Sequence, residues 1–160
     1  MPSQSYRQPL WKALFLVPAG VALHLLLVLI WRRPGSRSRA LIQHGDHILL
    51  VSNITSPWHW TLPGGGYEGS ETAAECAARE VSEELGLVIA STAYEPAGQQ
   101  SEIAHGTTWQ YDCVHTVVER RPPLKLSLEI YRAAWFPLSD LPANSSSYIE
   151  SLLVSTTEEQ

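Results

Sequence analysis

Residues 60–87 read WTLPGGGYEGSETAAECAAREVSEELGL, and this stretch decides how the rest of the chain is organised. Its second half predicts a helix over 73–85. Thr72 and Glu75 stand in the T-x-x-E spacing in which a hydroxyl and a carboxylate each satisfy an orphan backbone N–H. Gly86 supplies a residue that takes the left-handed conformation at a helix C-terminus without steric cost. Ala74, Ala77, Ala78, Val81 and Leu85 fall on one stripe at 100° per residue. Three of the five are alanines, so this stripe suits close packing on a sheet.

A second face holds Glu80, Glu83 and Glu84, related as i, i+3 and i+4. Like charges at that spacing repel by about 0.2–0.5 kcal/mol per pair in an isolated helix. They also crowd the last turns, where the helix dipole disfavours negative charge. Such a face is either simply solvated or compensated by cations, and a hard divalent ion accepts carboxylate oxygens of this kind. Arg79 lies four residues after Glu75 and four before Glu83, within reach of either carboxylate. Upstream, Pro63-Gly64-Gly65-Gly66 lets backbone approach a ligand closely.

Gly65-x5-Glu71-x7-Arg79-Glu80-Val81-Ser82-Glu83-Glu84-Leu85-Gly86-Leu87 is similar, at every specified position, to the box that defines the Nudix family. Trp60 to Gly64 before it and Trp135-Phe136-Pro137-Leu138 near the end also resemble that family, so the likeness runs over about 38–142. The resemblance implies an α/β fold, an α/β/α sandwich with a mixed β-sheet. It also implies a pyrophosphohydrolase that cleaves a diphosphate linkage in a nucleoside diphosphate derivative by water attack at phosphorus, using Mg²⁺ or Mn²⁺. Glu80, Glu83 and Glu84 would hold the metal, with Glu80 also a candidate base, and a backbone carbonyl at Gly64 or Gly65 would complete the coordination. Gly65, Glu71 and Gly86 would be structural supports; Arg79 is counted with the catalytic group, chiefly as a brace. Family members often take a further carboxylate from outside the box. Glu129 is the first candidate, with Glu102, Asp112 and Glu119 as rivals. A nucleotide-binding sensor without hydrolysis, or a membrane-tethered hydrolase of a lipid-linked diphosphate, are the alternative readings.

Around the box, 38–44 and 46–53 predict two strands joined through Gly45-Asp46, and 58–62 a short third one. Strands are expected at 87–93, 107–119 and 129–136, where Val, Ile, Thr and aromatics concentrate, and a closing helix over 144–154. The segments 94–106 and 119–128 are the expected places for substrate-selecting contacts. Trp58, His59, Tyr67, Trp109 and Tyr111 suit base stacking or, more simply, sheet packing. His44, His47 and His115 have no metal-ligand spacing.

The 160 residues suffice for one domain, and 44% apolar against 17% charged residues excludes a disordered chain. Two distant cysteines, Cys76 and Cys113, give neither a disulfide scaffold nor a zinc module. Charge divides unevenly: 1–39 carries +6 and the remainder −11, for the net −5. An acidic domain repels nucleic acid. The uncharged stretch 13–31, flanked by Trp11 and Trp31, predicts a single membrane-spanning helix within a hydrophobic segment over 1–34. The arginines that follow it predict a cytoplasmic domain over 35–160, and 34–39 reads as a polar linker. The soluble rival is a helix packed on the domain. Oligomeric state and substrate contacts are not readable from the sequence.

Overall fold

The computed structural model describes residues 5–7, 36–104 and 106–158. Six strands form one sheet: β1 (Ser5–Arg7), β2 (Ser36–His44), β3 (His47–Asn53), β4 (Glu95–Ala104), β5 (Thr107–Val117) and β6 (Ile130–Pro137). Their spatial order is β1-β6-β3-β2-β5-β4. The pair β2·β5 is parallel and every other pairing is antiparallel, so the sheet is mixed.

Strand periodicity then sorts the core into two layers. Ala40, Ile42, Leu49, Val51, Ala133 and Trp135 point to one face, where α1 (Ala73–Leu85) sets Ala77, Val81 and Leu85 against them. Leu41, Ile48, Leu50 and Ala134 point to the other, covered by Ile149 and Leu152 of α2 (Tyr148–Glu158). Helices on opposite faces of a mixed sheet make the expected sandwich. The side chains of Trp135 and of most of these aliphatics are fully buried, each contributing about 1.5–3 kcal/mol through removal from water.

The helix over 73–85 and the turn at Gly45-Asp46 are where the sequence places them. Four expectations need correction. Residues 87–93 form no sheet pairing; Leu87 and Ile89 pack on the α1 cluster, and a 3-10 turn follows at Ser91–Ala93. Their apolar alternation serves a helix rather than a strand neighbour. Residues 95–104, within the segment expected to carry substrate-selecting contacts and not predicted as a strand, form β4, an edge strand. With one neighbour and a register shift between Pro96 and Gln99, it tolerates the proline, glycine and polar residues that hid it. Residues 58–62 make only the isolated bridges Val51–Thr61 and Trp60–Ser145. The closing helix starts at Tyr148, because Asn144 and Ser146 are spent on backbone bonds to Trp60.

The linker assigned to 34–39 is also revised, since Ser36 to Arg39 form the first half of β2. The apolar stretch 13–31, and with it the expected membrane helix, lies outside the described residues. Among the described residues no helix is long and apolar enough to cross a membrane.

Candidate metal and catalytic centre

The glycine loop is strapped along the outer half of β2. Ala40 N–H donates to the Pro63 carbonyl (2.9 Å), Ser38 N–H to the Gly65 carbonyl (3.0 Å), and Arg37 bridges to Gly66. The Ser38 hydroxyl donates to the Ala73 carbonyl (2.7 Å), tying the same strand to the start of α1. Helix α1 begins with the predicted capping box: Thr72 N–H donates to Glu75 Oε2 (2.8 Å) and Glu75 N–H to Thr72 Oγ1 (3.3 Å). It ends at Gly86 with φ +64° and Gly86 N–H on the Ser82 carbonyl. Fixed at both ends, the helix presents its acidic face to the loop.

Two glycines make that approach possible. Gly64 has φ +133°, and a β-carbon there would lie 2.3 Å from the Ser38 carbonyl oxygen. At Gly65 a β-carbon would lie 2.3 Å from Glu80 Oε1. The Gly64 N–H donates to Glu84 Oε2 (3.1 Å). The Gly64 carbonyl accepts from Arg39 Nη1, and the Gly65 carbonyl is taken by Ser38.

Arg79 gathers the acids from the opposite side. Its Nε and Nη2 donate to both oxygens of Glu71 (2.8 and 3.0 Å), and Nη1 to Glu80 Oε1 (3.0 Å) and Glu83 Oε2 (3.3 Å). Nη2 also reaches the Gly66 carbonyl (2.8 Å). Glu71, held by the guanidinium and by the Glu68 N–H, is lowered to about 2. Burial raises the Glu80 carboxyl against the pull of Arg79. Glu84, 7% exposed, is pushed up to about 7 by burial, which outweighs the attraction of Arg39 and the Gly64 amide. Glu83 is the open member, with a side chain 61% exposed.

Glu129 joins this group by way of the segment before β6. Lys125 N–H donates to the Leu85 carbonyl and Ser127 N–H to the Glu84 carbonyl, while Ile54 N–H holds the Glu129 carbonyl. The negative charge of Glu129 is among the causes that raise both Glu80 and Glu84. The rivals are employed elsewhere. Glu102 accepts from Ser146 Oγ and Ser147 N–H at 3.3 Å, tying β4 to the start of α2. Asp112 accepts from Ser36 Oγ (2.7 Å), Tyr67 OH (2.5 Å) and Gln99 Nε2 (2.7 Å). Glu119 is exposed after β5.

Of the aromatic candidates, Tyr111 is buried between sheet and α2, and Trp58 is 66% exposed. His59 Nε2 pairs with Ser146 Oγ (3.0 Å). Arg37 and Arg39 have no site role in the sequence pattern, which puts Arg37 in the linker and Arg39 where linker and first strand overlap. The signal was present as R-x-R running into an apolar strand, which places two guanidinium groups on one sheet face.

A loop laid on a strand, an acidic helix face and a bracing arginine converge here, and the NUDIX domain pattern matches residues 33–152. The chain belongs to the Nudix hydrolase family. Over 96 residues it is 34% identical to diphosphoinositol polyphosphate phosphohydrolase 3-alpha of Homo sapiens, covering 59% of this chain and 57% of that one. Over 88 residues it is 37% identical to the nucleoside triphosphatase NudI of Enterobacter sp. (strain 638), covering 49% and 62%. Each match thus spans less than two thirds of the relative's length. The fold is shared with a MutT NUDIX hydrolase from Burkholderia pseudomallei, at TM-score 0.66 and 23% identity over 77% of this chain and 98% of that one.

Divalent metals such as Mg²⁺ or Mn²⁺ are general in this family, and the donor set of this Nudix chain suits a hard cation. All its candidate side-chain ligands are carboxylates, and one of them, Glu84, is buried at a cost that a cation would offset. Among the described residues no three His, Cys, Asp or Glu side chains already converge on one point. Arg79 holds Glu80 and Glu83, and the Gly64 amide holds Glu84.

Proposed function

We propose that the chain is a Mg²⁺- or Mn²⁺-dependent pyrophosphohydrolase that cleaves a phosphoanhydride in a nucleoside diphosphate derivative or a related phosphorylated compound. The supporting observation is that Glu80 and Glu84 face the Gly64–Gly65 loop while Arg79 braces Glu71, Glu80 and Glu83 at once. The activities for which the relatives are named have a phosphoanhydride in common: a diphosphoinositol group in one and a nucleoside triphosphate in another.

Glu80, Glu83 and Glu84 are the residues that would hold the metal, with Glu129 as a further carboxylate. The Gly64 carbonyl would be shared with Arg39. When bound, the divalent ion neutralises diphosphate oxygens and makes an attacking water more acidic. The chain's own residues orient and move the proton. Arg79 pins Glu80 Oε1, which leaves Oε2 to accept a proton from water as its oxygen attacks phosphorus and the bridging P–O bond breaks. The partly buried setting that raises Glu80 makes it a better base than an exposed carboxylate. Glu71 keeps the guanidinium in place through its paired bonds. The complete set of carboxylates favours hydrolysis over a binding-only role.

A membrane anchor at 13–31, with the domain on the cytoplasmic side, stays part of this proposal on sequence grounds alone. The test is formation of the two phosphomonoester products by the full chain from a panel of diphosphates with Mg²⁺, in parallel with Glu83→Gln. We expect turnover that needs the metal and falls by ~10²-fold or more in the variant, on the scale of losing one charge-stabilising group. Near-normal turnover in Glu83→Gln refutes the metal assignment.

A further inference from the structure

Strand β2 enters the sheet with two arginines, two residues apart on the face away from α1. Arg39 is 8% exposed and Arg37 is half-buried. Each lies over an aromatic ring of β5: Arg37 Cζ is 4.6 Å from the Trp109 centroid and Arg39 Cζ 5.0 Å from that of Tyr111. Among the described residues, the ion pairs of 4.0 Å or less are formed by Arg79 and His47, and neither Arg37 nor Arg39 takes part in one. Arg39 donates through Nη1 to the carbonyls of Leu62 (3.4 Å) and Gly64, and its buried Nε has no partner.

Buried guanidinium groups are ordinarily paired with an acid, because desolvating an unpaired charge is costly. Here two like charges are held side by side, and both burial and Arg39 lower the Arg37 pKa. Glu84 is among the negative charges that act on both arginines, across the glycine loop, and Glu80 also acts on Arg37. The aromatic rings fix the two forks in place without neutralising them. An anion arriving beside the carboxylates would offset the cost, and a phosphoryl group matches the bidentate geometry of a guanidinium. The rest of the domain is acidic, so a polyanionic substrate needs such a local positive patch to approach.

We propose that Arg37 and Arg39 form an anion subsite for a phosphoryl group that is not cleaved, so that the preferred substrate carries phosphate beyond the two groups joined by the scissile linkage. This deepens the hydrolase reading and rests on it for the word substrate; the subsite itself is tested separately. The first arm is calorimetric titration of the full chain, in chelator, with inorganic triphosphate. Wild type and Glu83→Gln should bind it, and Arg37→Gln should bind at least tenfold more weakly, with Arg37→Lys between them. Arg120→Gln, the same charge change at an exposed site, should bind like wild type. The second arm compares kcat/KM for a dinucleoside tetraphosphate and for ADP-ribose with Mg²⁺. Arg37→Gln should lose ~10- to 100-fold on the tetraphosphate, chiefly through KM, and about threefold or less on ADP-ribose, as expected for one charge-assisted contact. Equal triphosphate binding by wild type and Arg37→Gln, no binding by wild type, or equal losses on both substrates overturns the subsite. Absence of all hydrolysis, with triphosphate binding still dependent on Arg37, refutes the hydrolase reading and leaves the subsite standing.

Discussion

Gly65 and Glu80 are in contact across the glycine loop: a β-carbon on Gly65 would lie 2.3 Å from Oε1 and 2.5 Å from Cδ of the Glu80 side chain. The glycine is therefore an absence that the carboxylate fills. Gly65→Ala forces Glu80 to swing away and release Arg79. Since the obstacle is the far end of a flexible side chain, the fold should survive with a melting temperature within a few degrees. Hydrolysis should fall by ~10²-fold, the order of losing one positioned charge. Melting and turnover measured on one preparation check this, and a fully active alanine variant contradicts it.

Gly64 differs from its neighbour in kind. Its φ is +133° and the obstruction is the Ser38 backbone carbonyl, which cannot step aside without moving β2. Gly64→Ala should lose stability by about 1–3 kcal/mol or more, the range for backbone strain. Urea denaturation of the two alanine variants should rank Gly64→Ala well below Gly65→Ala.

Glu84 illustrates the cost of a site. Its folded pKa of about 7 lies above the ordinary carboxylate value, so its contribution to stability is full at low pH and is lost as pH rises through about 7. Glu84→Gln keeps an oxygen for the Gly64 N–H and removes the buried charge. At pH 8 in chelator it should unfold at higher urea than wild type, by about 1–3 kcal/mol. Its hydrolysis should be largely lost. A variant less stable than wild type at pH 8 contradicts the assignment of burial as the dominant effect.

Glu71 has the opposite sign. Arg79 holds its pKa down at about 2, so its contribution is complete above about 4.5 and disappears as pH falls through 2. Wild type should melt above Glu71→Gln at pH 7, and the gap should close between pH 4.5 and 2. A pH-independent gap would locate the effect in packing rather than in the ion pair.

Glu129 stands outside the box, and its removal should weaken the metal site without unfolding the domain. Glu129→Gln should raise the Mg²⁺ concentration giving half-maximal turnover by ~10-fold or more, on the scale of changes around metal ligands. An unchanged Mg²⁺ titration assigns the outside carboxylate to another residue.

Local order determined most of what the sequence disclosed. The capping box, Gly86 and the stripe of small residues specify α1 within its own thirteen positions, because caps and helical periodicity act over four residues or fewer. The Glu80–Glu83–Glu84 face is legible for the same reason. The apolar runs of β2, β3 and β6 announce strands, since each is buried on both faces over its middle, and β5 is legible from its Thr, Val and aromatic residues. Strand β4 has an edge position to satisfy and carries no comparable pattern. Only the tertiary structure decided that Arg37 and Arg39 are buried beside the acids, that Arg79 gathers Glu71, Glu80 and Glu83 together, and that residues 125–129 bring Glu129 to the end of α1. Those relationships join positions tens of residues apart, and their energies come from desolvation and charge at separations that chain order does not encode.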